Sequence, residues 1–299
     1  MKHNKLLTSC IAAAALILTS CAQPFSAPVS VPYDIDYETA KSSYVQNAIT
    51  ITKVNINEAD NVFYTKTADT ITFNSATPIN PEEPVQVELK GYFKGQIINN
   101  IEGLEIILKD VYLENEDAPA ILNNTATENT KIVISAYKDT VNYVVSTGSA
   151  DDTNKGAISS KAKDVQIEFG GSGTCYIVGT RDHGIKSHKV EFKGASKYHI
   201  QGSATGSDIN CSSFKVDTTK ALTLHLHKAK NGIKADKKIK ITGGTFNFYG
   251  TDTALKTDPA KTGDPATTIK LTSCTVNSYN VTTLQSTDSF NKAEDVVIK

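Results

Sequence analysis

Six residues carry side chains suited to a hard cation and fall near one recurring place in the chain: Asp151, Asp152, Asp182, Asp208, Asn231 and Asp252. Calcium takes about six to eight oxygen ligands from carboxylates, carbonyls, amides and water. A strip of these residues, one repeat apart, would suit that ion. Asp and Asn also satisfy turn backbone without any metal. Lys186, Lys234 and Lys256 each follow an aliphatic residue at the same place, and a row of ammonium groups can pair with the carboxylates of an acidic polysaccharide. Lysines in such a row also block strand-to-strand aggregation. Tyr249 lies just beyond Phe246 and Phe248 with outward parity, and outward aromatic rings offer flat faces to sugars. Tyr176 and Tyr198 occupy equivalent strands, where a slip of one residue exchanges inside for outside. Arg181 adjoins Asp182 and His183, the only grouping that suggests the cation and base of a polysaccharide lyase. His225 and His227 share a face with no third ligand for a metal.

For these residues to meet, the chain must bring distant positions into register. A turn-strand unit recurs at Gly156-Ala157-Ile158, Gly184-Ile185-Lys186, Asp208-Ile209-Asn210, Gly232-Ile233-Lys234 and Ala254-Leu255-Lys256. Its central aliphatics are separated by 27, 24, 24 and 22 residues, and Ile121 and Ile97 extend the series backwards. Two more alternating segments follow within each repeat, clearest in Lys238-Ile239-Lys240-Ile241 and Thr245-Phe246-Asn247-Phe248 with Gly243-Gly244 between them. Alternation over three to five residues is strand periodicity, and the runs are too short for helices. Three short strands per repeat is the rung of a parallel β-helix, a solenoid of 22–27-residue rungs in an all-β chain. One rung cannot bury its inward side chains, whereas stacked rungs at about 4.8 Å can. Residues 54–111 are also strand-like and are expected to form the first rungs and a cap. The insertion from Asp258-Pro259 to Asp264-Pro265 breaks the register.

Lys2, His3 and Lys5 precede an apolar run from Leu6 to Leu18, too short to span a bilayer, and Leu18-Thr19-Ser20-Cys21 matches a lipobox. Residues 1–20 therefore read as a lipoprotein signal peptide and Cys21 as the lipidated residue. Residues 21–45 read as a tether and 46–299 as the β-helix domain. The expected location is the bacterial cell envelope, lipid-anchored at the outer membrane or cell surface, with membrane contact through the anchor only. The 31 Lys and Arg against 32 Asp and Glu give a net charge of −1, which becomes −3 once Lys2 and Lys5 leave with the signal. That balance argues against nucleic acid as a partner. With no Trp and abundant Gly, Asn, Thr and Ser, a helical bundle is excluded. Cys175, Cys211 and Cys274 remain in the mature chain, either as buried thiols or as one bridge plus one thiol.

Gly156-Ala157-Ile158-Ser159-Ser160-Lys161, Asp182-His183-Gly184-Ile185-Lys186-Ser187 and the stretch from Lys234 to Thr245 resemble the repeats of the secreted clostridial carbohydrate-binding β-helix family. Gly95-Gln96-Ile97-Ile98 and Pro119-Ala120-Ile121 are similar to its opening rungs, and the resemblance covers about residues 70–280. It implies a right-handed single-stranded parallel β-helix, similar in architecture to pectate lyases, that binds calcium and polysaccharides of cellulose-like or acidic pectic type. The chain departs from the family where two acids usually precede Gly-Ile: the second acid is missing throughout, and Asp208 stands at the Gly position. The expectation is thus a monomeric, surface-anchored carbohydrate-binding protein, with Ca2+ as the one cofactor the resemblance offers. A calcium-dependent polysaccharide lyase and a structural or adhesive surface protein are the alternatives.

Overall fold

The structure, a computed structural model, describes residues 34–45, 48–60, 62–125, 127–148, 155–258, 267–287 and 289–299. The signal peptide, Cys21, the first part of the tether, Asp151 and Asp152 lie outside them. The described chain is all-β apart from one short helix, Tyr37–Lys41, and most of its strands pair in parallel.

The strands stack in three ladders. In the first, Ile71, Ile97, Ile121, Ile158, Ile185, Ile209, Ile233 and Leu255 stand directly over one another. All are essentially inaccessible to solvent. The column expected from the 22–27-residue spacing therefore exists, and each aliphatic in it contributes roughly 1.5–3 kcal/mol by burial. The second ladder stacks Ile134, Phe169, Phe192, Val216, Ile241 and Leu271. The third stacks Cys175, Tyr198, Leu224, Phe246 and Val276. These inward columns meet in one continuous apolar core. Tyr198 belongs to it, and its hydroxyl donates to the Gly170 carbonyl at 2.7 Å. Cys175, Cys211 and Cys274 are all free and buried, so no bridge forms among them.

The expected cap is present in part. Thr50–Lys53 pairs antiparallel with Gln86–Lys94, and Tyr64–Lys66 with Thr70–Phe73, closing the edge of the first parallel strands. Residues 34–45 do not behave as a loose tether. Ile35 is buried, its N–H donates to Gln201 Oε1 at 2.9 Å, and the helix Tyr37–Lys41 is capped by the Asp36 carboxylate on the Thr39 N–H. Asp34 pairs with Lys228, Tyr37 accepts from the Tyr112 hydroxyl, and Lys41 reaches Glu114 at 2.8 Å. The segment thus straps the outer face of the third ladder across several coils.

Candidate carbohydrate-binding groove

Across the outer face of the first ladder, as far as the corner where it hands over to the second, runs a groove of about 520 Å³. Lys155, Asp182, Lys186, His188, Asn210 and Asp236 line it, with His183 at its floor. These residues come from four successive coils, so the groove runs along the stack at about 4.8 Å per coil. Charged and amide groups converging in a cleft of this size suit a hydroxyl-rich ligand. The ring of His183 is buried, and its Nδ1 accepts the Ser207 N–H at 3.1 Å. Burial, reinforced by Lys186, Lys234 and Lys155, pulls its pKa down to about 3. The ring is therefore neutral with Nδ1 occupied, and the 3.4 Å approach of Asp182 Oδ1 is not an ion pair. A lyase base needs a pKa near the working pH. His183 is not such a base, and Arg181 beside it is exposed.

Lys186, Lys234 and Lys256 form one outward column, with Asn210 between the first two. Only Lys186 lines the groove; Lys234 is drawn to Asp258 Oδ2 at 3.5 Å.

Among its described members the acidic strip does not assemble. Asp182 lines the groove, while Asp252 lies three coils further on and is exposed. Asn231 is buried and donates to Ser207 Oγ at 3.3 Å. Asp208 aligns with Gly184 and Gly232 on the inner side of the first ladder and is fully buried. Its Oδ1 accepts the Gly202 N–H at 2.8 Å, while Oδ2 has no partner. Among the described residues no three acidic, His or Cys side chains converge as a metal site would require, so the donors present do not fit a calcium cage.

Tyr249 points outward as its parity demands, yet it is 4% exposed, because Tyr279 stacks on it at 5.0 Å and His225 lies parallel at 5.9 Å. It belongs to a file of rings down the third ladder: Tyr112, Tyr143, Tyr176, His199 and His225, with successive centroids 4.3–5.4 Å apart. Rings stacked face to face cover each other's flat surfaces, so Tyr249 offers no open face to a sugar. The file is cross-strand packing, and its imidazoles are not surface decoration. Burial, then the neighbouring histidines, lowers His199 to about 2; burial lowers His225 to about 4. Sequence reasoning passed over Tyr112, Tyr143 and His199, although an aromatic or imidazole recurs at the same strand position in each coil. It also passed over Lys155, His188 and Asp236, which sit in corners of varying length, and Asn210, which stands in the first ladder between Lys186 and Lys234.

Ladders of mostly parallel strands with a polar groove on their flank define an all-β protein built from repeats. The family model for carbohydrate-binding domain-containing proteins matches residues 84–299, and the chain belongs to that family. Among solved structures it is similar to one described as the polysaccharide lyase-like protein from C. thermocellum, gadolinium derivative. The two share 18% identity at a TM-score of 0.55, over 80% of this chain and 94% of that one, which is a likeness of fold. No match to a curated protein was found.

Proposed function

We propose that the protein binds polysaccharide, of cellulose-like or acidic pectic type, in the groove at the corner of its first and second ladders, and is held at the bacterial surface by lipid on Cys21. On this reading the stacked coils wind as a right-handed single-stranded β-helix. The observation that carries the proposal is the convergence of Lys155, Asp182, Lys186, His188 and Asn210 in one elongated cleft of a chain from a carbohydrate-binding family. Ammonium groups select carboxylated sugars and the amide and carboxylate take hydroxyls, each contact made from a rigid strand end.

The test is a glycan array probed with the full-length protein in detergent, with and without EDTA. Lys186→Glu is expected to weaken binding of acidic glycans at least tenfold, about 1.4 kcal/mol, with an unchanged melting curve. Insensitivity to Lys186→Glu would relocate the site. Loss of binding on adding EDTA would bring calcium into the proposal, with Asp151, Asp152 and Asp182 as the first ligands to replace. Silence across the array favours a structural or adhesive role, and release of unsaturated uronate product favours the lyase.

A further inference from the structure

The outer face of the second ladder changes character along the stack. In its earlier coils acids and lysines answer one another: Lys109 meets Glu88 at 3.2 Å, and Lys131 and Lys193 meet Glu168 at 3.4 and 2.9 Å. Even where Glu168 stands directly opposite Glu191, the lysines on either side neutralise the pair, and Lys215 reaches Glu191 at 2.8 Å. Lys215 is also held by Asp217 at 3.2 Å, and beyond that strand the acids stop. Lys215, Lys240 and Lys270 lie opposite one another in consecutive strands, with Lys238 two residues before Lys240 on the same face. Lys238, Lys240 and Lys270 are exposed, and among the described residues no carboxylate is within ion-pairing distance of them. Lys189, Lys215, Lys238 and Lys240 border a shallow cavity of about 300 Å³ there.

Like charges directly opposite across a ladder destabilise it, so this row needs a reason. Guarding an open edge is not one. The strands holding Lys240 and Lys270 are each paired on both sides, Lys240 between Lys215 and Lys270, and Lys270 between Lys240 and Asn291. A local excess of cations, on a chain whose overall charge is −1, is a surface prepared for an external anion. Strands at about 4.8 Å present the ammonium groups as a line along the stack. A linear polymer with regularly spaced carboxylates or sulfates meets that line with several contacts at once.

We propose that Lys215, Lys238, Lys240 and Lys270 form a second glycan site, on a face separate from the groove, that takes a linear polyanionic polysaccharide by charge. The kind of polyanion rests on the carbohydrate-binding reading; the site itself rests on Lys238, Lys240 and Lys270, which no described carboxylate offsets, with the ion-paired Lys215 at its border. With both faces occupied, one molecule bridges two chains or two stretches of one chain.

The experiment measures affinity of the full-length protein in detergent for polygalacturonate across a range of salt. Lys240→Glu with Lys270→Glu is expected to weaken binding at least tenfold at low salt and to flatten its salt dependence. The pair exchanges one like-charge contact between positions 240 and 270 for another and sets an acid opposite Lys215, so the melting temperature is expected to hold. Lys90→Glu with Lys138→Glu, exposed lysines elsewhere, makes the same change in net charge and is expected to shift affinity less than threefold. Equal losses in the two pairs, or no loss in the first, overturn the proposal. If Lys186→Glu abolishes binding while the Lys240 and Lys270 pair leaves it intact, the row is overturned and the groove stands. If the wild type binds no glycan, both readings fall. Wild-type binding to duplex DNA that the first pair abolishes, with polygalacturonate unaffected, assigns the row to nucleic acid and overturns it as a glycan site.

Discussion

Ile233→Asp is expected to abolish the single cooperative melting transition of the protein. Ile233 is inaccessible to solvent and lies directly between Ile209 and Leu255 in the first ladder. Substitution removes roughly 1.5–3 kcal/mol of apolar burial. It also places a carboxylate in a column that contains only aliphatics, at a further cost of several kcal/mol for an unpaired buried charge. In a stack where each coil contacts only its neighbours, a broken coil uncouples those on either side. Calorimetry and circular dichroism should show a broad or split transition for Ile233→Asp. Ile233→Val should keep one transition at a cost of about 1 kcal/mol. Melting of the Asp variant close to wild type would mean that the aliphatics do not share a column.

Asp208→Asn is expected to stabilise the protein near neutrality and to leave it unchanged in acid. Burial pushes the Asp208 carboxyl well above the usual carboxylate range, opposed only by the Gly202 N–H. The folded protein therefore keeps this proton at pH values where the unfolded chain has released it. Stability is full below the ordinary carboxylate pKa and falls as the pH rises from there towards the raised folded value. Asn has the same shape, can accept the same Gly202 N–H and carries no titrating proton. The gain should grow by about 1.4 kcal/mol for each pH unit above the ordinary carboxylate pKa until the raised folded value is reached, and should vanish towards about pH 4. The measurement is the melting temperature of both proteins across that range. A wild-type profile parallel to that of the variant would show that Asp208 does not titrate with unfolding.

The coil period was legible because it is written in residues with one dominant reason to be where they are. Ile158, Ile185, Ile209, Ile233 and Leu255 recur because the interior accepts little else. Asp208 was harder. It precedes Ile209 as an acid would at a corner, and alternation with the inward Ile209 would turn it out, but it occupies the place of Gly184 and Gly232, where an added side chain meets the core residues Ile200 and Phe248. Tyr249 shows the opposite limit. Parity gives its direction, but its exposure depends on rings one coil away, at His225 and Tyr279. The groove was legible only through Asp182 and Lys186, because Lys155, His188 and Asp236 stand in turns whose lengths differ from coil to coil and Asn210 breaks the run of lysines in its column.

The strap of residues 34–45 also determines how the body answers force. From Asp34 to Lys41 it crosses coil after coil, fastened at Lys228, Gln201, Tyr112 and Glu114. Tension drawn along the stack from the residue-34 end loads these fastenings together in shear instead of peeling the first coil from its neighbour. Drag on a captured polymer would then be spread over the middle of the stack, and the terminal coils, held by fewer contacts, would be spared.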